Sequence, residues 1–343
     1  MTSPRTDEQP ARSRDLVVIG ASAGGVEALK HVVQGFPPDL DAAVCVVLHI
    51  APSSPSALAS ILERAGMLPC RRAEDDRPLQ AGEIVVAPPD RHLVIEDGRV
   101  RLTVGPRENG HRPAVDVLFR SAATARQDRV VGVVLSGTRD DGAAGLAVIK
   151  ASGGATVVQT PTEAMYPGMP VSALASVVVD AVVPSERMGT TIAAIVRGEA
   201  LPDAVRPGNF PEYASRGQPL TQVCPECGGV VTEQTQAGIH YWECHVGHRY
   251  SPTSFADAQA GRVEAALWTA VRALRDRAAL LDRMAVQFEG RGQARSARRF
   301  RQQASDARAQ AEVVRAALAE AAATALQEIS HADGEQAEAA SAQ

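Results

Sequence analysis

Three short apolar runs, Leu16–Ile19, Val44–Leu48 and Val130–Leu135, are rich in β-branched residues and punctuated by glycine and proline. Unbroken apolar runs of this length fit strands covered on both faces, and the helical patterns between them require the strands to lie parallel. Each run also leads to a reactive side chain: Ser22 in Gly20-Ala21-Ser22-Ala23-Gly24-Gly25, His49 directly after Leu48, and Asp141 shortly after Leu135. Open parallel sheets gather functional groups at the carboxyl ends of their strands, so these three residues are expected to meet despite their distance in sequence. Together they make up the inventory of a serine hydrolase triad.

The alternation of strand and helix patterns predicts helices at Val26–Gly35, Ser54–Ala65, Val115–Ala125, Ala143–Ser152 and Arg187–Arg197, with further strands at Ala155–Gln159 and Ser176–Val183. Ile84–Ala87, Leu93–Glu96 and Val100–Thr103 are shorter and more alternating; with Asp97-Gly98 between the last two, they read as a β-hairpin insertion. The expected architecture is a doubly wound, mostly parallel α/β sheet over residues 15–198, after a disordered head at 1–14. A Pro- and Gly-rich linker at 199–219 leads to a Cys/His-rich module at 220–251. Beyond it, Leu267, Val271, Leu274, Leu281, Met284 and Phe288 recur at helical spacing, and Gly290-Arg291-Gly292 breaks the pattern. The expectation is an α-helical hairpin over 252–329, followed by a disordered tail at 330–343.

A net charge of −5, with basic residues mixed among acidic ones, argues against a general nucleic-acid binder. The opening Met1–Arg14 has no apolar core of a signal peptide and no run is long enough to span a membrane, which predicts a cytoplasmic protein without membrane insertion.

A serine hydroxyl becomes a nucleophile when a base takes its proton, and that base needs an acid to hold its tautomer. Ser22, His49 and Asp141 fit these roles in that order. Ser22 falls between a strand and a helix start, where unpaired backbone N–H groups favour negative charge; the N–H of Ala23 is a candidate oxyanion donor, and Gly24 and Gly25 let the loop turn tightly. Phosphate binding is the rival reading of Gly20–Gly25, and a nucleotide site there is the alternative it implies. Against it stand the G-x-x-x-G-G spacing and His49 at the end of the second strand, where a dinucleotide fold places an acid.

Five blocks carry a resemblance: Val18-Ile19-Gly20-Ala21-Ser22-Ala23-Gly24-Gly25; Leu48-His49; Ala87-Pro88-Pro89-Asp90-Arg91-His92; His111-Arg112-Pro113-Ala114-Val115-Asp116-Val117-Leu118-Phe119; and Val134-Leu135-Ser136-Gly137 through Asp141-Gly142-Ala143. In this order they resemble the CheB family of chemotaxis protein-glutamate methylesterases. The resemblance implies Ser22 as nucleophile, His49 as general base and then acid, and Asp141 as the orienting carboxylate. It also implies hydrolysis of γ-glutamyl methyl esters on cytoplasmic chemoreceptor helices with release of methanol, deamidation of receptor glutamines, and no cofactor for catalysis. Arg91, His92 and Arg112 are candidates to line the groove for an acidic receptor helix, and Met169 lies in a Gly-Met-Pro segment similar to a family loop near the site.

The sequence also departs from the family. Many relatives carry an N-terminal receiver domain, and here only about a dozen residues precede the first strand, so control through an attached receiver is not expected. Where many relatives have Gly-Met-Gly-Asn-Asp-Gly, this chain has Gly137-Thr138-Arg139-Asp140-Asp141-Gly142, which keeps the acid and changes its neighbours. A fold-retaining, non-catalytic signalling adaptor is the remaining alternative; it is disfavoured because all three triad residues are present.

Cys224-Pro225-Glu226-Cys227 and Cys244-His245-Val246-Gly247-His248 form two half-sites about sixteen residues apart, the spacing of a zinc ribbon. Cys224, Cys227, Cys244 and His248 are the expected ligands of a structural Zn²⁺, with His245 the rival for the fourth place. The helical hairpin is a candidate surface for self-association, for receptor docking or for a separate regulator.

Overall fold

The computed structural model describes the backbone of residues 14–50, 57–199 and 222–341, and side chains as far as residue 320. The predicted head, nearly all of the predicted linker and the first residues of the predicted Ser54–Ala65 helix lie outside the described residues. The chain forms two compact units, Met1–Ala256 and Asp257–Gln343.

In the first unit the strands are β1 (Leu16–Ala21), β2 (Ala43–Leu48), β3 (Cys70–Arg72), β4 (Arg77–Pro78), β5 (Ile84–Val86), β6 (His92–Glu96), β7 (Arg99–Thr103), β8 (Val130–Val134), β9 (Ala155–Gln159), β10 (Ala181–Val183), β11 (Val231–Gln236), β12 (Ile239–Cys244) and β13 (Arg249–Tyr250). The helices are α1 (Gly25–Gln34), α2 (Leu58–Ala65), α3 (Val115–Arg126), α4 (Ala143–Ala151), α5 (Gly168–Ser176) and α6 (Ser185–Val196), and α7 (Pro252–Gly290) begins here.

Seven strands form one parallel sheet in the order β10-β9-β8-β1-β2-β5-β3. The chain runs outward from β1 on one side and returns to β8 on the other, which makes β1 the point where strand order reverses. All residues of β1, β2 and β8 are buried. Their side chains alternate between two apolar layers: Val17, Ile19, Val44 and Val46 pack with Leu29, Val33, Leu62 and Ile192, while Val18, Cys45 and Val134 pack with Val115, Phe119, Leu146 and Ile149. Burial on both faces explains why these strands read as unbroken apolar runs. Complete burial of each such Val, Leu or Ile contributes roughly 1.5–3 kcal/mol.

The expected insertion is smaller than the sequence suggests. Its hairpin is β6 and β7, turning at Asp97 (φ 48°) and Gly98 (φ 74°) with β4 alongside, whereas β5 belongs to the main sheet, where its three apolar residues are covered on both faces. The predicted strand Ser176–Val183 shortens to β10 because α5 takes the chain as far as Ser176, and Val178 in the intervening bend is exposed.

Residues of the predicted Cys/His module form the antiparallel sheet β11-β12-β13, turning at Ala237 (φ 50°) and Gly238 (φ 80°). The compact unit takes in this module. Asn109 N–H donates to Arg249 O at 2.8 Å, and Phe255 stacks edge-on against Trp242 and Tyr250.

The second unit holds the rest of α7 and α8 (Ala294–Ser341), so the helix continues beyond the predicted end at residue 329. Phe288 meets Phe300, and Arg275 meets Glu312, pairings that make the helices antiparallel. Buried residues recur at heptad spacing, Val271, Ala278 and Ala285 against Ala297, Ala304, Ala311 and Leu318, with Leu281 and Ala307 three positions after Ala278 and Ala304. This is a coiled-coil seam built mainly from alanine.

Candidate active site

Ser22, His49 and Asp141 follow β1, β2 and β8, three neighbouring strands, and the structure brings them together at one end of the sheet. Backbone hydrogen bonds fix the three loops to one another: Ser22 N–H donates to Ser136 O (2.9 Å), His49 N–H to Ala21 O (3.1 Å) and Leu135 N–H to Gly20 O (2.9 Å). Ser22 Oγ lies 3.1 Å from His49 Nδ1, and His49 Nε2 lies 2.7 Å from Asp141 Oδ2. The side chains of His49 and Asp141 are only 6% and 2% exposed, so this line of contacts is shielded from water while Ser22 stays partly accessible. With Nε2–H donated to the carboxylate, Nδ1 is left as the acceptor for the serine hydroxyl.

Helix starts set the charge of the site. Asp141 accepts the first two N–H groups of α3, Val115 to Oδ2 at 2.7 Å and Asp116 to Oδ1 at 3.1 Å, and Asn109 Nδ2 adds a third donor at 3.0 Å. Burial alone would push the Asp141 carboxyl up; the hydrogen bond and charge of His49, with the Val115 N–H, outweigh it and hold the group well below the usual carboxylate range. Asp116 returns the arrangement by accepting Gly142 and Gly145 N–H at the start of α4, at 3.0 and 2.7 Å. Burial and the charge of Asp141 push the Asp116 carboxyl up, in the opposite direction to Asp141.

His111 stacks flat on His49, with ring centroids 3.7 Å apart and planes 10° from parallel. Burial, reinforced by His49, pushes His111 down to about 4, which keeps it an uncharged lid on the neighbouring ring near neutral pH.

The serine loop requires glycine at position 24: its φ is 70°, and a Cβ there would lie 2.8 Å from Ser136 Oγ. Gly24 is the N-cap of α1, which begins at Gly25. The N–H groups of Ala23 and Gly24 take no part in the backbone hydrogen bonds that fix the loop among the described residues, and they leave positive dipole next to Ser22 Oγ. An oxyanion beside Ser22 is the charge such a place stabilises.

A model of the CheB methylesterase family matches residues 17–192, just over half of the chain. The chain belongs to the CheB methylesterase family. It is 40% identical over 195 residues to the protein-glutamate methylesterase/protein-glutamine glutaminase 2 of Anaeromyxobacter dehalogenans, covering 56% of this chain and 57% of that protein. With the protein-glutamate methylesterase/protein-glutamine glutaminase of Pectobacterium atrosepticum it shares 39% identity over 197 residues, 55% of each. The chain thus spans little more than half the length of these relatives. The crystal structure of the Thermotoga maritima CheB methylesterase catalytic domain superposes with a TM-score of 0.51 at 29% identity, covering 54% of this chain and all of that one.

The groove candidates of this CheB family chain separate by burial. Arg91 is exposed. His92, at 2% exposure, is no groove residue: its Nε2 donates to Pro106 O at 2.9 Å, and its Nδ1 accepts Ala114 N–H at 3.2 Å, just ahead of the α3 donors that hold Asp141. Burial lowers its pKa, consistent with this neutral tautomer. Arg112 is a loop staple, binding Asp90 Oδ1 (3.0 and 2.7 Å) and Gly105 O (2.9 Å). Met169 is fully buried and packs so closely that a Cβ at Gly137 would lie 2.1 Å from its sulfur and 2.8 Å from Ser22 Cβ; it sets the floor beside the serine.

Sequence reasoning did not single out Asn109, His111, Asp116 or Ser136. Ser136 Oγ donates to Ala23 O (2.8 Å) and accepts Tyr166 N–H (3.0 Å), bracing the serine loop. His111 and Asp116 lie in a block already noted, where a ring and an acid beside the conspicuous Arg-Pro were the available signal.

Cys224, Cys227, Cys244 and His248 bring one ligand atom each to within 4.8 Å of one another. His248 Nδ1 lies 3.7 Å from Cys224 Sγ and 3.5 Å from Cys244 Sγ, and the sulfurs of Cys227 and Cys244 are 3.6 Å apart. Tetrahedral zinc bonds of about 2.0–2.3 Å place donors roughly 3.5–3.8 Å apart, the size of these three distances, so the cluster could hold such an ion. Glu226 lies 3.3 Å from His248 Nε2, orienting the ring so that Nδ1 faces the sulfurs. His245 is outside this converging set; its ring lies against Gly229.

Proposed function

We propose that the protein is a serine hydrolase that removes methyl groups from glutamate γ-methyl esters, and converts glutamines to glutamates, on cytoplasmic chemoreceptor helices. The observation that carries this reading is the continuous hydrogen-bonded line Ser22–His49–Asp141, shielded at its acid end and open at its serine. Ser22 Oγ attacks the ester carbonyl carbon while His49 Nδ1 takes its proton, and the oxyanion sits against the Ala23 and Gly24 N–H groups. Collapse expels methanol, protonated by His49. Water then attacks the acyl-enzyme, His49 takes its proton and returns one to Ser22, and the glutamate carboxylate leaves.

None of these steps requires a metal. Zn²⁺ held by Cys224, Cys227, Cys244 and His248 is proposed as structural, since four protein ligands leave no open coordination position. Action in the cytoplasm is part of this reading; no helix among the described residues is long and apolar enough to cross a membrane. Self-association through the α7–α8 hairpin is a further part of this reading, which the oligomeric state of the chain tests.

The test of the catalytic reading is methanol release from a receptor cytoplasmic fragment carrying radiolabelled methyl esters. Release by the wild type and none by Ser22→Ala is the expected result. A folded wild type that releases no methanol overturns the proposed substrate.

A further inference from the structure

Asn109 stands where two networks meet. Its Nδ2 donates to Asp141 Oδ1 and to Asp116 Oδ2, both at 3.0 Å, while its Oδ1 accepts the backbone N–H of Ser251 at 3.0 Å. It is 4% exposed, and its φ of 51° is one that asparagine tolerates better than most residues. The amide has one workable orientation, because a flip would aim its oxygen at two acids and its NH₂ at an N–H donor.

The far side of this residue belongs to the Cys/His module. Arg249, whose carbonyl accepts Asn109 N–H at 2.8 Å, is the residue after His248, and Ser251 follows two positions later. Ser254 Oγ donates to Asp140 Oδ1 at 2.6 Å, a second tie beside Asp141. From Val223 to Ser251, the buried apolar residues are Cys224, Val231, Cys244 and Tyr250, two of them ligand candidates. A sheet with so little core depends on its metal cross-link for order.

We propose that Asn109 is a positioning residue for Asp141, and that the metal-loaded Cys/His module holds Asn109 in place, so that metal occupancy sets the alignment of Ser22, His49 and Asp141. The proposal rests on reading those three as a hydrolase triad. Loss of the Ser251 anchor frees the amide to leave Asp141 Oδ1, and the carboxylate loses the constraint that aims Oδ2 at His49. Displacements near 1 Å cost about 100-fold in such sites.

The test uses the full chain in zinc-loaded, chelator-stripped and zinc-restored forms, with metal content and melting temperature recorded for each. Two readouts are followed: the rate at which a fluorophosphonate labels Ser22, and the low-field proton resonance of the His49 Nε2–H in contact with Asp141. Stripping is expected to slow labelling at least about tenfold and to broaden or shift the resonance, and zinc to restore both. Asn109→Gly tolerates the φ, keeps the metal and loses the amide; it is expected to label as slowly as the stripped protein, with little further effect of stripping, and to lower kcat for a small ester more than it raises KM. Equal labelling and an unchanged resonance with and without metal overturn the proposal, as does wild-type labelling by Asn109→Gly. An equal effect of stripping on Asn109→Gly and wild type also overturns it. A resonance that responds to metal in a protein that never labels overturns the hydrolase reading while supporting the positioning role.

Discussion

The parallel sheet and the Cys/His sheet of the first unit are held by different forces. In β1, β2 and β8 every residue is buried, and the fold rests on two continuous apolar layers. In β11 and β12 only Val231 and Cys244 are buried, and four converging ligand side chains take the place of a core. The first region is stable by area removed from water, whereas the order of the second is, on the proposed reading, conditional on a bound metal ion. Because the unconditional region carries the reactive residues and the conditional one touches their support, substitutions in the two should produce separable effects.

The largest effect falls on chemistry alone. Ser22→Ala should lower ester turnover by about 10⁴-fold or more, with melting temperature and zinc content unchanged. Asp141→Asn should lower it by roughly 10³–10⁴-fold, since the amide cannot hold the same His49 tautomer. A substantial loss of zinc in either would break the separation.

Replacement in the other region should act first on metal binding and local order. Cys244→Ser is expected to abolish tight zinc binding and to raise amide hydrogen exchange across residues 222–251, while amides of β1, β2 and β8 remain protected. Leu29→Ala, in a fully buried position against the sheet, should cost about 2–5 kcal/mol in denaturant unfolding and leave zinc affinity unchanged.

A pH dependence sharpens the picture of the site. His111 is pushed down from 6.5 to about 4 in the folded chain. The unfolded chain therefore takes up a proton below about pH 6.5 that the folded chain refuses until about pH 4. The stability from this group is intact above 6.5 and declines through that window, by about 3 kcal/mol at most. Denaturation midpoints at pH 7.5 and pH 5 should differ less for His111→Gln than for the wild type.

The smallest effect concerns Arg139, whose φ of 64° lies in the left-handed region that favours glycine. Arg139→Gly should stabilise by about 1 kcal/mol or less, seen as a slight rise in melting temperature.

The sheet was legible in the sequence because strands buried on both faces leave unbroken apolar runs, and Ser22, His49 and Asp141 were legible because each follows such a run. The convergence of Cys224, Cys227, Cys244 and His248 showed through their spacing. Helix α5 did not show, since Gly168 and Pro170 at its start look like loop residues. Val271 and Leu281 of the helical hairpin's seam showed at helical spacing, but Ala278, Ala285, Ala304 and Ala311 do not stand out in an alanine-rich segment. Asn109-Gly110 reads as a turn, and nothing local tells that its amide is buried between two acids. His92 and Met169 looked like groove residues by their neighbours, whereas burial makes them supports. The contacts of Asn109, His92 and Met169 with distant segments were the part that sequence patterns did not supply.

The central claim is that His49 and Asp141 make Ser22 a nucleophile. It is tested most directly by treating the zinc-loaded protein with a fluorophosphonate and locating the adduct by peptide mass spectrometry. A single adduct on Ser22, absent from His49→Ala, is the predicted result; an adduct on another residue, or equal labelling without His49, would contradict it.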